Sequence, residues 1–249
     1  MKLYQMPISH YCEKVRWMLD LKKIKHSTKN LLPGLHIAVI HKLMRKQSSG
    51  FPSTSVPVLK DQGKIIQGSD HILDHLDLLY PQPSFMPVDS ELKQEVLKWE
   101  EFADQKLGPH VRRCCYYYLL RDPSAVIPMF TYKGPWYGRL LMKFMFPQLQ
   151  AAMRKGMQID QEGFNKSKAV LDEAVQTLAS HLSTRQYLVD ERLTRADIAV
   201  ASLLAPLIRP QGYDVPWPQT LPEELTQLEL EYQPVLQWVD KMYKNHRKP

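Results

Sequence analysis

A serine and a cysteine three residues apart, in the run Ser9-His10-Tyr11-Cys12, stand where a short strand-like stretch gives way to a helical one. A helix start leaves backbone N–H groups unpaired and concentrates positive dipole, so an anion is stabilised there, a thiolate included. A plainer reading of the same residues stays open, in which Ser9 caps the helix and Cys12 is a small core residue. Thr54-Ser55-Val56-Pro57-Val58-Leu59 follows about forty-five residues later. A proline opening a strand donates no ladder hydrogen bond. A cis Val56–Pro57 bond would turn the Val56 backbone outward at the sheet edge, where an extended peptide can pair as an added strand. Ser69, in Gly68-Ser69-Asp70-His71-Ile72, is placed to cap the next helix and to offer a hydroxyl and backbone N–H groups to a carboxylate. Singly, Pro57 is an edge proline and Ser69 a cap; their order and spacing carry more weight.

The elements that must position these residues can be read from periodicity. Lys2–Met6 is a strand candidate, and Val15, Met18 and Leu19 recur at helical spacing after it. A poorly marked strand is expected near Ile24–Leu32 and a helix over Leu35–Met44. Val56–Leu59 and Lys64–Gln67 form a hairpin through Asp61-Gln62-Gly63, and a helix opening at Ser69 carries the stripe Ile72, Leu73, Leu76 and Leu79. The resulting order, βαβαββα, implies a mixed sheet with helices packed on it.

The composition changes near Tyr80, where Tyr80–Pro87 holds three prolines in eight positions and suits an exposed connector. The expected organisation is a domain over 1–79, a linker over 80–88 and a helical domain over 89–249. Helices are expected over Leu92–Leu120, Tyr137–Met157, Glu162–Leu182, Arg195–Ile208 and Pro234–His246. Thr194 and Asp197 form a capping box ahead of an apolar helix. The aromatic, proline-rich stretch Pro123–Pro147 reads either as a lid or as a packing insert.

Several function classes are excluded by composition. The 249 residues are 44% hydrophobic and 24% charged, which describes a globular chain rather than a disordered one. The longest mainly apolar run, Ile198–Ile208, is interrupted by Ser202 and Pro206 and falls short of the roughly 20 residues a spanning helix needs. The first residues lack a secretory pattern, so a cytoplasmic location is expected. Three cysteines, Cys12, Cys114 and Cys115, make no disulfide framework, and no Cys/His spacing resembles a metal site. The net charge of +7 is dispersed, densest at Lys42, Arg45 and Lys46 and at Lys241, Lys244, Arg247 and Lys248. No aromatic-interleaved basic stripe accompanies it, so no nucleic-acid partner is expected.

SxxC before KVR, then SVPVL, GSDHILDHLD and LTRADIAVASLLAPL, together resemble the cytosolic glutathione transferases across nearly the whole chain. The resemblance implies a thioredoxin-like α/β N-terminal domain followed by an all-α C-terminal domain, and glutathione as co-substrate without a metal. It also implies a homodimer, and conjugation of the glutathione thiolate to an apolar electrophile, as in detoxification. By position, Ser9 falls at the catalytic hydroxyl of serine-type members, and Cys12 at the second cysteine of the redox motif, the alternative working thiol. Ser55, Val56 and Pro57 fall at the cis-proline turn that meets the cysteinyl part of glutathione, and Ser69 at the γ-glutamyl carboxylate. Gly68 departs from the acidic or amide residue usual before that serine, leaving Gln67, Asp70 or a partner's acidic group for the ammonium. Tyr4 sits too early in its strand to match the catalytic tyrosine of tyrosine-type members. The electrophile pocket is expected to draw on Trp17 and on His110, Arg113, Tyr117 and Tyr118. A non-catalytic binding or scaffold role is the remaining alternative.

Overall fold

The computed structural model describes residues 1–45 and 54–247; Lys46 and Lys248, named above for their charge, lie outside them. Strand β1 (Lys2–Gln5) buries Leu3 and Gln5 on one face, as period-two alternation requires. Helix α1 (His10–Leu21) follows and buries Val15, Trp17, Met18 and Leu19. Strand β2 (Ser27–Asn30) pairs in parallel with β1, the crossover being made by α1. After α2 (His36–Met44), strands β3 (Val58–Asp61) and β4 (Lys64–Gln67) form the expected hairpin. Its two turn residues, Gln62 and Gly63, both have positive φ, 45° and 84°, the backbone that matches the right-handed twist of the flanking strands. Sheet order is β2-β1-β3-β4, with β3 antiparallel to β1. Helix α3 (Ser69–Leu79) completes this half.

Among the described residues only helices follow: α4 (Ser90–Phe102), a π-helical turn (Ala103–Leu107), α5 (Gly108–Leu119), α6 (Pro123–Phe130), α7 (Gly138–Met157), α8 (Gln161–Leu182), α9 (Arg195–Ile208), α10 (Glu223–Glu231) and α11 (Gln233–His246). The chain is thus a mixed four-stranded α/β domain followed by an all-helical one. Helix α9 is buried on every side from Arg195 to Leu207, as an all-round apolar helix must be. Its capping box is present. The Asp197 carboxylate accepts the Thr194 N–H (2.7 Å), the Thr194 hydroxyl (2.8 Å) and the Leu188 N–H (2.8 Å).

Three expectations need correction. The single helix over Leu92–Leu120 is broken at 103–107, where Pro109, having no N–H, cannot continue the ladder and the backbone widens into a π turn. Ser69 is the first helical residue rather than the cap. Gly68 holds the cap position with φ 97° and ψ 138°, a conformation that a Cβ disfavours. That geometry is a local reason for glycine where the resemblance implies an acidic or amide residue. Helices α6 and α10 were unexpected, although Asp122 before Pro123 caps the first by accepting the Ser124 N–H.

The two halves are joined by buried charge. Arg195 of α9 reaches Glu100 of α4 (2.9 Å) and Asp74 and Asp77 of α3 (2.7 and 3.1 Å). Lys14 of α1 pairs with Asp104 (3.1 Å). The last described residues also return to α1. Arg247 bonds Glu13 (2.7 Å) and Asp20 (2.6 Å), the Trp17 indole donates to the His246 carbonyl (3.2 Å), and the Tyr243 ring lies 4.5 Å from that of Trp17.

Candidate functional site

Strand β1 ends at Gln5, and the backbone turns through Met6–Ser9, with the Ser9 N–H donating to the Met6 carbonyl (3.0 Å). Ser9 caps α1: its backbone is extended and its hydroxyl oxygen accepts the Cys12 N–H at 3.3 Å. A hydroxyl used as an acceptor retains its own proton for donation. Because β1 and β3 are antiparallel, the C-terminal end of β1 lies beside the N-terminal end of β3, where the Val56–Pro57 peptide is cis. The turn therefore sits at the end of a central strand and not along an outer edge strand, a correction to the sheet-edge expectation. Among the described residues the Val56 backbone makes no backbone hydrogen bond, whereas the Pro57 carbonyl accepts the Gly68 N–H at 3.2 Å. The Gln67 amide secures this turn by donating to the Ser55 carbonyl (2.8 Å) and hydroxyl (2.9 Å).

Ser9, Ser55 and Val56 line one cavity of about 210 Å³ between the end of the sheet and the helical half. Its walls are largely apolar: Met6 and Ile8 from the first turn, Leu119 from α5, Phe130 from α6, Met153 from α7 and Trp217 from the segment after α9. Pro57, Gln67, Ser69 and Asp70 do not line it. Gln67 and Ser69 are buried behind the turn, and Asp70 stands close enough to Tyr11 to help hold that phenol protonated.

Cys12, by contrast, is fully buried, and burial pushes its thiol pKa up. It is absent from the cavity wall, so the thiol lies behind the hydroxyl. Cys115 does line the cavity, but burial holds its thiol up at about 12, and it too stays protonated.

The electrophile candidates need rotation by a helix face. Trp17 is fully buried under α11 and faces away from this cavity. His110 and Arg113 converge on the Ser167 hydroxyl (3.1 and 2.6 Å), Tyr117 donates to Gln161 (2.6 Å), and Tyr118 packs against Phe164. These side chains dock α5 on α8. The cavity instead receives Arg112, Cys115, Tyr116 and Leu119, a helical i, i+3, i+4, i+7 face one residue out of step with the expected one. The π turn before α5 is the reason, since it breaks the phase that α4 would extend. Pro123–Pro147 is a wall more than a lid: Val126, Ile127, Met129 and Phe130 are buried, while Trp136, Tyr137 and Phe144 point into solvent.

Sequence reasoning missed His10, Tyr11, His36, Arg112, Tyr116 and Trp217, all of which line the cavity. His10 and Tyr11 lay inside the quoted tetrapeptide and could have been found from the turn itself. Tyr11 donates to the Asp104 carbonyl (3.2 Å), bridging the α1 start to the π turn. His10 is buried, first by desolvation and then through Arg112 its pKa falls to about 3, and the imidazole is neutral. His36 is lowered by burial as well. Trp217 lies in an aperiodic stretch that carries no signal of its place. Among the described residues no cluster of His, Cys, Asp and Glu is suited to hold a metal.

Comparison with known proteins agrees with this architecture. The model of the glutathione S-transferase N-terminal domain matches residues 3–84 and that of the glutathione S-transferase C-terminal domain matches residues 138–242. Among curated proteins, glutathione S-transferase U4 of Arabidopsis thaliana is 37% identical over 54 residues, covering 22% of this chain and 24% of the relative. This chain therefore spans about a quarter of that relative's length. Among solved structures, the β-etherase LigF from Sphingobium sp. strain SYK-6 superposes with a TM-score of 0.68 at 20% identity, over 97% of this chain and 94% of that one. A glutathione S-transferase from Methylobacillus flagellatus KT with glutathione bound gives 0.64 at 19% identity, over 98% and 94%. At such identities the likeness is one of fold.

Proposed function

Given that the chain belongs to the glutathione transferase superfamily, we propose that it conjugates the thiolate of glutathione to an apolar electrophile in the cavity between the sheet end and α5. One observation carries this reading: the Ser9 hydroxyl caps α1 and lines an apolar cavity beside the cis Val56–Pro57 turn, whereas Cys12 is buried out of it. Glutathione lies along the turn, paired with the free Val56 backbone. Its γ-glutamyl end runs out of the enclosed cavity to the start of α3, where Ser69, which must be uncovered for this, receives the carboxylate and Asp70 approaches the ammonium. Ser9 donates to the sulfur.

The main task is to make thiolate. A free thiol has a pKa of about 8.5, and each unit of depression corresponds to about 1.4 kcal/mol of preference for the anion. A hydroxyl donor to a charged acceptor contributes about 1.5–3 kcal/mol and a helix terminus up to about 2 kcal/mol in a partly buried site. Together they suffice for a drop of two units without a general base. The thiol proton passes to solvent water, the sulfur lone pair forms the S–C bond, and the leaving group departs with the bonding pair, taking up a proton from solvent where it is basic enough.

Titration of bound glutathione by thiolate absorbance tests the reading. Ser9→Ala is expected to raise the thiol pKa by about one to two units and to lower turnover, with glutathione affinity nearly unchanged. An unchanged titration removes Ser9 from the mechanism. Absence of any calorimetric heat with glutathione removes the whole proposal and leaves a scaffold role. Disulfide reduction using Cys12 is disfavoured by the burial of that thiol; Cys12→Ser is expected to leave conjugation intact. A cytoplasmic location and a homodimer are both part of the proposal, the homodimer being supported by exposed Leu78 and Leu79 on α3 and Leu97 on α4. Sedimentation as a monomer at micromolar concentration overturns that part.

A further inference from the structure

Among the described residues Arg112 is the single charged side chain on the cavity wall. Other arginines of the helical half that are half-buried or buried have polar partners: Arg195 meets Glu100, Arg209 meets Glu229, and Arg113 bonds Ser167 and the Met157 carbonyl. Arg112 has no ion pair and no hydrogen-bond partner among the described residues. A half-buried guanidinium beside apolar walls favours an anionic partner. Three further nitrogens of the same cavity are buried without a hydrogen-bond partner among the described residues: His10 Nε2, His36 Nδ1 and Trp217 Nε1. The indole nitrogen can only donate, so it requires an acceptor oxygen. His10 adds no charge, because desolvation and Arg112 keep its ring neutral. The cavity thus offers one full positive charge and at least two hydrogen-bond donors, set in walls of Met, Leu, Phe and Trp.

We propose that the second substrate of this cavity is an aromatic or similarly apolar monocarboxylate, its carboxylate held by Arg112 with help from Trp217, and its apolar body laid against Phe130 and Met153. The proposal rests on the conjugation reading of the same cavity and names the class of electrophile it takes. One cation balances one negative charge. A phosphate monoester, with nearly two, would leave charge uncompensated among apolar walls. A planar guanidinium also matches a carboxylate with two parallel hydrogen bonds, which an ammonium cannot do.

The test compares 2-naphthoate with 2-naphthamide, two ligands of nearly equal shape that differ in charge, in calorimetry on the full chain without glutathione. The wild-type protein is expected to prefer the carboxylate by about ten- to a hundredfold. Arg112→Gln is expected to abolish that preference while leaving the amide affinity and the thermal unfolding midpoint unchanged, and Arg112→Lys to restore part of it. Equal affinities in the wild type, or a preference that survives Arg112→Gln, overturn the proposal. So does a weakened glutathione affinity in Arg112→Gln with naphthoate unaffected, since Arg112 would then serve the tripeptide. Because naphthoate binding is read without glutathione, loss of conjugation alone would strike the earlier reading and the word substrate with it, while the Arg112 carboxylate site would be judged by the naphthoate result alone.

Discussion

Replacing Arg195 by methionine tests whether the two halves are held together by charge. The guanidinium forks onto Glu100, Nη2 to Oε2 at 2.9 Å and Nε to Oε1 at 3.2 Å, and its Nη1 reaches Asp74 and Asp77. The three carboxylates do not suffer equally from its loss. The Asp74 side chain is 61% exposed and Asp77 keeps Lys22 at 2.9 Å, so each contributes about 0–1 kcal/mol. Glu100 is only 6% exposed, and its nearest remaining cation, Lys14, stands 3.9 Å away. Leaving a buried carboxylate unpaired costs about 3–5 kcal/mol, and the surviving Lys14 puts the expectation near 3 kcal/mol. Urea unfolding should therefore show a lower midpoint with unchanged slope. In the Arg195→Met/Glu100→Gln double variant, which removes the stranded charge, about 2 kcal/mol should return. The pH dependence has a definite sign. Burial above all raises the Glu100 pKa over its ordinary value, and Arg195 opposes the rise. The folded variant therefore binds this proton at higher pH than the unfolded chain. Its deficit is full near neutrality and narrows as pH falls into the carboxylate range. Additive costs in the double variant, or a deficit that widens toward acid, would refute the reasoning.

Two further substitutions probe the frame of the site. A Cβ added to Gly108 would lie 2.1 Å from the Tyr11 hydroxyl and 2.6 Å from its Cζ, so Gly108→Ala should cost about 1–3 kcal/mol by expelling the ring. Built on a Tyr11→Leu background the same change should be nearly neutral in thermal unfolding, and equal costs in both backgrounds would exclude the clash. Asp197→Asn should cost about 1–3 kcal/mol. An amide cannot accept both the Leu188 and Thr194 N–H groups, and faster hydrogen exchange at one of these amides is the expected signature.

The sheet half was legible because its signals are local. The stripe of α1, the Asp61-Gln62-Gly63 turn and the proline before β3 each act within a few residues, and the hairpin strand Lys64–Gln67 coincides with its expected bounds. The helix Arg195–Ile208 was equally legible, since its cap and its apolar run announce it. Legibility failed where the outcome depends on phase between distant segments. Arg112 and Arg113 are neighbours of one type, and nothing local says which faces a cavity and which reaches Ser167. The π turn upstream decides it. Likewise Trp17 carries an aromatic ring suited to a pocket, yet residues more than two hundred positions later cover it. The positive φ of Gly68 was also invisible, because a serine following glycine reads as a cap whichever of the two takes the position.

The return of residues 243–247 to α1 bears on how the protein is made. Glu13, Trp17 and Asp20 leave the ribosome early, whereas their partners Tyr243, His246 and Arg247 emerge more than two hundred residues afterwards. During that interval the first helix carries an uncovered indole, and Asp20 lacks its arginine while Glu13 has only Arg16, although domains otherwise fold in order of emergence. A chain cut before these residues keeps the Lys14 and Tyr11 bonds to Asp104 but leaves Trp17 without its cover. The late cover thus makes the surface of α1 around Trp17 the part of the sheet half that depends most on distant sequence, and a chain cut before residue 243 should expose it to proteases.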